Sequence, residues 1–236
     1  KYRYFLNNQI TKDYILSTKH LSRTKKINEN FCSIICKKIT KNNKSILLFG
    51  HSHAADFELS LTKILNKKKI NLYLSYFDYR KTDYEALDQL KKALSLEKVE
   101  FVFIVHHKRE SDEIYTEKLL SLLNQYQDVE FYYFLPRVEF DVAPLKYKIL
   151  NKPISKIKKI LFKDINKLLY SFEINNFKIV DQNHFLLKIK NSNCNKIECF
   201  DAHDNKNLPI YRDNHHLSIY GADLFIQKLF NELSFN

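Results

Sequence analysis

The chain has 236 residues with only two glycines and no methionine, and its 39 basic and 27 acidic side chains give a formal charge of +12. Average glycine usage is about 7%. Neither the dinucleotide fingerprint Gly-x-Gly-x-x-Gly nor a P-loop can be assembled from Gly50 and Gly221, so phosphate cradles of those kinds are excluded. The length suits one α/β domain with at most an N-terminal extension, and it can bury a sizeable core. The positive charge would admit a nucleic acid, but only six of the 39 basic residues are arginine, the side chain suited to bidentate reading of bases and phosphates. Nucleic acid is therefore not expected as a partner. An anionic glycan or a nearby anionic membrane surface is compatible with the charge. Lacking methionine and opening on Lys1, the chain is expected to be a processed product or a piece of a longer one. No run of about 18 apolar residues is present to span a membrane.

Residues 1 to about 27 are polar and lysine-rich, and residues 1–44 as a whole are expected to form an N-terminal extension with a peripheral helix ahead of a domain spanning 45–236. The set Phe31, Ile34, Ile35 and Ile39 keeps helical spacing over 29–40. Apolar runs then alternate with amphipathic stretches. Ser45–Phe49 and Asn71–Ser75 read as strands, Ala54–Leu65 and Tyr84–Leu94 as helices, and Val99–Val105 gives the strongest strand signal. A helix over Ser111–Tyr126 follows, then a strand Val129–Leu135 that ends at Pro136. Residues 154–170 read as an amphipathic helix, Phe177–Val180 as a short strand and Leu217–Leu233 as a closing helix. Strands alternating with helices predict a parallel sheet covered on both faces, whose sites lie beyond the carboxyl ends of its strands. The places to search are therefore those after Phe49, Ser75, Val105 and Leu135.

Cys32 and Cys36 fall four apart on the expected helix, a spacing poor for a disulfide. Cys194 and Cys199 flank a short polar loop, where closure is sterically easy in an oxidising compartment, and a Cys-x4-Cys pair alone is weak as a zinc site. A Cys194–Cys199 disulfide is the expectation.

Both glycines stand beside residues that could carry chemistry. Gly50 closes the first long strand in SILLFGHSHAADF, and Ser52 falls at the strand-to-helix turn, where the N–H groups of the next helix point the same way. Its alternative role is to cap that helix. Gly221 lies in LPIYRDNHHLSIYGADLF. There Asp213, three residues before His216, could accept the imidazole Nδ1–H and leave Nε2 free as a base, with Ser218 capping the helix that follows. Together Ser52, His216 and Asp213 would supply nucleophile, base and orienter.

The pair GHSHA (50–54) and DNHHLSIYGA (213–222) resembles the GDSH and DxxHLSxxGA blocks of SGNH-type hydrolases, in particular the SGNH domain found behind acyltransferase-3 membrane domains. The segment FYYFLPRVEFDVAP (131–144) and the loop CNKIEC (194–199) agree with that subgroup. The resemblance implies a three-layer α/β/α sandwich with a mainly parallel, flavodoxin-like sheet. It implies an O-acyltransferase, usually an O-acetyltransferase, acting on a cell-envelope glycan outside the bacterial cytoplasm. The acyl group would come from a membrane domain tethering the protein, and no cofactor or metal is implied. Ser52 would form the acyl-enzyme, His216 would deprotonate first Ser52 and then the sugar hydroxyl, and Asp213 would orient His216.

The chain departs from that family's pattern at three points. His51 stands where Asp usually precedes the serine, no glycine is present for the second block, and His106 and His107 replace the Gly-x-Asn of the third. The oxyanion and substrate-contacting candidates are therefore His51, His53, His106 and His107, with Ser75 marking the strand end from which a backbone N–H could come. Three other readings remain. One is a secreted carbohydrate O-acetylesterase, and another is a non-catalytic glycan-binding module. The third is a metallohydrolase built on convergent histidines (His51, His53, His106, His107, His203, His215, His216), although HSHAAD lacks the Asp and His that an HxHxDH motif requires.

Overall fold

A computed structural model describes residues 36–38, 44–77, 82–96, 98–105, 113–140, 157–158, 175–189, 203–204 and 208–233. In chain order the elements are β1 (Cys36–Lys38), β2 (Ser45–Gly50), α1 (Ser52–Lys68), β3 (Asn71–Tyr76), α2 (Asp83–Leu96), β4 (Phe101–Val105), α3 (Glu113–Leu123) and β5 (Glu130–Phe134). There follow β6 (Glu139–Phe140), β7 (Ile157–Lys158), β8 (Phe177–Val180), α4 (Gln182–Ile189) and α5 (Ile219–Glu232). The main sheet runs β1-β3-β2-β4-β5-β8; all its pairings are parallel except that of the edge strand β1, which is antiparallel to β3. The five parallel strands thus take the flavodoxin-like order 2-1-3-4-5.

Strand β2 is buried along its whole length, as a central parallel strand requires. Its side chains alternate between two cores. Ile46 and Leu48 join Phe57 and Leu61 of α1, Phe185 of α4 and Phe225 of α5 on one face. Leu47 and Phe49 join Leu87 and Leu90 of α2 and Leu119 and Leu123 of α3 on the other. Helices on both faces of one sheet make the three-layer α/β/α sandwich that the resemblance implies.

Local chemistry sets the helix starts. Thr82 and Glu85 form a reciprocal capping box on α2: Thr82 N–H donates to Glu85 Oε2 at 2.7 Å and Glu85 N–H to Thr82 Oγ1 at 3.3 Å. Asp181 accepts from the Asn183 N–H at 2.9 Å to start α4, a short helix that the sequence pattern does not predict. Ser218 caps α5 as expected, accepting from Gly221 N–H at 2.9 Å. The cap of α1 is His51, so Ser52 is the first helical residue and not the cap.

Two expected helices differ. Within 29–40, Cys36–Lys38 is a strand whose backbone pairs with Leu74, Tyr73 and Leu72 of β3. An otherwise open sheet edge satisfies that backbone, and a short apolar run fits either period. Cys36 is therefore not on a helix, while Cys32 lies outside the described residues. Within 154–170, Ile157–Lys158 pairs antiparallel with Glu139–Phe140, so the expected helix fails there. Cys194 and Cys199 lie outside the described residues, as do His106 and His107. No helix among the described residues is long and apolar enough to cross a membrane.

Glycine scarcity leaves its mark at Lys69, the C-cap of α1, which takes the left-handed conformation (φ 58°, ψ 35°) usually filled by glycine. Lys69→Gly is expected to stabilise the fold by about 1 kcal/mol. Gly50→Ala should destabilise it by about 3 kcal/mol or more, because a Cβ at φ +155° would lie 2.1 Å from the Val105 carbonyl oxygen. Chemical denaturation of the two variants against the parent checks both signs.

Candidate active site

The carboxyl ends of β2 and β4 flank the point where the strand order reverses, the crevice where such sheets hold their ligands. Gly50 and Val105 are paired there, and the chain turns at once into α1. This places Ser52 exposed on the first turn of α1, where the first N–H groups have no intrahelical acceptor.

The segment 212–217, just before α5, folds back over Ser52. Arg212 N–H donates to the His216 carbonyl at 2.9 Å, closing the loop. Asp213 Oδ1 accepts the backbone N–H of His215 (3.0 Å) and of His216 (2.8 Å). Its Oδ2 lies 2.9 Å from His216 Nδ1, and His216 Nε2 lies 2.9 Å from Ser52 Oγ. The carboxylate fixes the proton on Nδ1 and leaves the Nε2 lone pair facing the hydroxyl. The structure thus brings Ser52, His216 and Asp213 into one continuous hydrogen-bonded line.

Electrostatics follow from this packing. Burial pushes Asp213 up, but the His216 hydrogen bond and charge, with the two backbone donors, outweigh it and hold the carboxyl well below the usual range. His215 is pushed down to about 4 by burial and by the neighbouring His216, against the opposing pull of Asp213. It is therefore neutral at physiological pH.

Of the other candidates, His51 caps α1 through Nδ1, which also lies 3.3 Å from Ser52 Oγ. His53 is buried, its ring 4.9 Å from that of His216 and stacked on His215 at 5.4 Å. Ser75 is buried, and its hydroxyl accepts from Gln89 Nε2 at 3.1 Å. Just beyond β3, the Phe77 N–H donates to the Gly50 carbonyl at 3.0 Å and is thereby engaged. His203 sits in an isolated bridge opposite Pro209.

Atoms of His53, His215 and His216 approach within 4.8 Å of one another, a spacing that could suit a metal ion. The donor set does not. Arg137 Nε donates to His53 Nδ1 at 3.2 Å; a guanidinium can only donate, so neutral His53 keeps its proton on Nε2 and has no lone pair to offer.

Sequence reasoning does not single out the charged group behind the site. Arg137, fully buried just after β5, pairs with Asp56 of α1 at 2.7 Å. Asp56 Oδ2 also accepts the Leu217 N–H at 3.0 Å, and Arg212 Nη2 stands 3.6 Å from Asp56 Oδ1. The available signal was positional: Asp56 is one helical turn beyond Ser52, and Arg137 follows a strand's carboxyl end.

Fold and site together describe a flavodoxin-like α/β/α domain with a serine, histidine and aspartate aligned at its switch point. The chain belongs to the family of SGNH domains fused to AT3 domains, whose model matches residues 18–230. Among solved structures it is similar to the periplasmic domain of the lipopolysaccharide acetyltransferase of Salmonella ser. Paratyphi A (TM-score 0.54, 16% identity, 94% of this chain and 99% of that one). It is also similar to the acetyl xylan esterase AlAXEase (TM-score 0.48, 14% identity, 80% of this chain and 99% of that one). No curated protein matches the sequence.

His215 supplies a stability test. Its folded-state value lies below that of the unfolded imidazole, near 6.5, so the unfolded chain binds the proton first. The stability that neutral His215 contributes is complete above about pH 6.5 and is lost as pH falls toward 4. His215→Asn should flatten the pH dependence of the melting temperature across that window.

Proposed function

We propose that this domain is an O-acyltransferase, most simply an O-acetyltransferase, which passes an acyl group through Ser52 to a hydroxyl of a cell-envelope glycan. The observation that carries the reading is the 2.9 Å approach of His216 Nε2 to Ser52 Oγ, with Asp213 on the opposite ring nitrogen. Ser52 Oγ attacks the carbonyl carbon of the acyl donor as its proton passes to His216 Nε2. The tetrahedral intermediate collapses, the departing group of the donor takes that proton from His216, and the acyl group remains esterified to Ser52. A sugar hydroxyl then attacks the acyl-serine, giving its proton to His216, which returns it to Ser52. Asp213 holds the ring and stabilises the imidazolium formed in each half-reaction.

The Ser52 N–H, on the first turn of α1, is the donor best placed for the developing oxyanion. Phe77, whose N–H is engaged by Gly50, would not serve. A second donor would come from the side chains around the site, for which His51, His53, His106 and His107 remain the candidates. Losing one such donor typically costs about 10²–10³ in kcat, which suits a slow transferase better than a fast esterase.

Kinship with SGNH domains fused to AT3 domains supports an extracytoplasmic setting and an acyl group delivered by a membrane acyltransferase domain. The formal charge of +12 is compatible with an anionic glycan or a nearby anionic membrane surface.

Incubation with an activated acetyl ester should acetylate Ser52, as read by peptide mass spectrometry, and Ser52→Ala should abolish labelling and turnover. Asp213→Asn should remain folded by circular dichroism while turnover falls about 10⁴-fold. Turnover that survives Ser52→Ala but is lost to a chelator would establish the metal reading instead. Glycan modification unchanged by Ser52→Ala would establish the binding-module reading.

A further inference from the structure

Asp213 holds His216, but Asp213 is itself held. Arg212 Nε stands 3.4 Å from Asp213 Oδ2, the oxygen that faces His216 Nδ1. The other end of the same guanidinium stands 3.6 Å from Asp56 Oδ1. Asp56 Oδ2 is 2.7 Å from Arg137 Nη2. The Arg137 and Asp56 side chains are 0% and 2% exposed, and that of Arg212 is 5% exposed. The result is a line of alternating sign, Arg137–Asp56–Arg212–Asp213, buried as far as Arg212 and ending through the partly exposed Asp213 on the imidazole. Its members come from the segment after β5, from α1 and from the loop that carries the histidine.

Position alone does not account for this arrangement. Were Arg212 the sole partner of Asp213, it would draw the carboxylate away from His216 and oppose charge on the ring. Asp56 draws on the same guanidinium from the opposite end. It also takes the Leu217 N–H, next to His216, and so fixes the height of the loop above α1. We propose that Asp56 and Arg212 are paired positioning residues that set, through Asp213, how readily His216 accepts the proton of Ser52. This rests on the reading of Ser52, His216 and Asp213 as the acyl-transfer residues. The other groups facing His216 are Ser52 and His53 from α1, His215 from the same loop, His51 through Ser52 and His53, Arg137 through His53, and Glu139 of β6, which acts electrostatically on His215. Of these, Arg137 and Glu139 are the basic and acidic side chains, and neither bonds Asp213.

The two substitutions act in opposite directions. Arg212→Gln removes a cation near His216, so the imidazolium is easier to form and the acid limb of the rate profile moves to higher pH. Asp56→Asn removes an anion and frees Arg212 for Asp213, so the limb moves to lower pH. Each displacement should be about one unit, the lower end of the effect of a charge within a few ångströms. Arg212→Lys keeps the charge and should leave the limb near the parental position while lowering kcat more than it raises KM.

The experiment has two readouts: the pH–rate profile on an activated acetyl ester, and the NMR titration midpoint of the His216 ring in a Ser52→Ala background. Opposite displacements in both support the inference. Limbs that stay together, or move the same way, overturn it. Should Asp56→Asn not fold, Arg212→Gln decides alone: an upward midpoint supports the proposal and an unchanged one sinks it. Activity that persists in Ser52→Ala defeats the acyl-serine reading, whereas opposite midpoints in that variant would leave the charge line standing.

Discussion

The whole site hangs on one close approach, that of Gly50 to the Val105 carbonyl. Strands β2 and β4 are neighbours in the sheet, and the chain must leave β2 at its carboxyl end and enter α1 without colliding with β4. A Cβ on residue 50 would lie 2.1 Å from the Val105 oxygen and 2.9 Å from the Ala54 Cβ, so only a hydrogen fits. That turn places Ser52 two residues further on, exposed, with the first N–H groups of α1 behind it. The second glycine meets the same kind of constraint: a Cβ on Gly221 would lie 2.1 Å from the Ile210 carbonyl. That approach seats the first turn of α5 against the segment leading into Asp213 and His216. A chain with two glycines thus has both where backbones touch on either side of the site.

Between those two fixed points the structure relies on buried charge. Taking Arg137 and Asp56 out of water is costly, and other polar groups add to their mutual attraction in offsetting it, although Arg137 Nη1 stays buried without a hydrogen-bond partner. Asp56 accepts from Arg137 and from the Leu217 N–H, and Arg137 donates also to His53. Removing one partner would leave an uncompensated buried charge, typically a loss of about 3–5 kcal/mol. A hydrophobic replacement of the whole set could fill the space as well. It could not join α1, the segment after β5 and the histidine loop with the directional bonds that a 2.9 Å alignment of Ser52 and His216 demands.

These two layers of organisation explain what the sequence could and could not disclose. The central strands were legible because a strand buried on both faces reads as an apolar run. The helices α1, α2, α3 and α5 were legible from their apolar stripes. Ser52, Asp213 and His216 stood out because each lies close to a glycine in a chain with almost none. Strand β1 was not legible, since Cys36–Lys38 owes its form to the open edge of β3 and not to its own pattern. The β6–β7 pair is short and far apart in sequence, and α4 depends on the Asp181 side chain more than on a long apolar stripe. The buried charges were the hardest to see. Asp56, Arg137 and Arg212 look like surface residues in a strongly charged sequence, and only the fold shows that the three side chains meet.

His51 stands at the same turn as Ser52. The family pattern sets an aspartate before the serine, which would place a full negative charge beside the hydroxyl. The imidazole here caps α1 through Nδ1, as a carboxylate could, and the same nitrogen lies 3.3 Å from Ser52 Oγ. An imidazole nitrogen there would bring no full negative charge beside the acyl oxygen of the proposed reaction. Nor does it rival His216, which is nearer at 2.9 Å and alone has a carboxylate within hydrogen-bonding distance of its Nδ1 among the described histidines at the site. The neighbouring rings sharpen this difference. His53 has its Nδ1 occupied by Arg137, and His215 is held at about 4 by burial and by His216. Four imidazoles among the described residues therefore crowd one sheet edge, yet only that of His216 stands between the Ser52 hydroxyl and a carboxylate, as the proposed proton transfer requires.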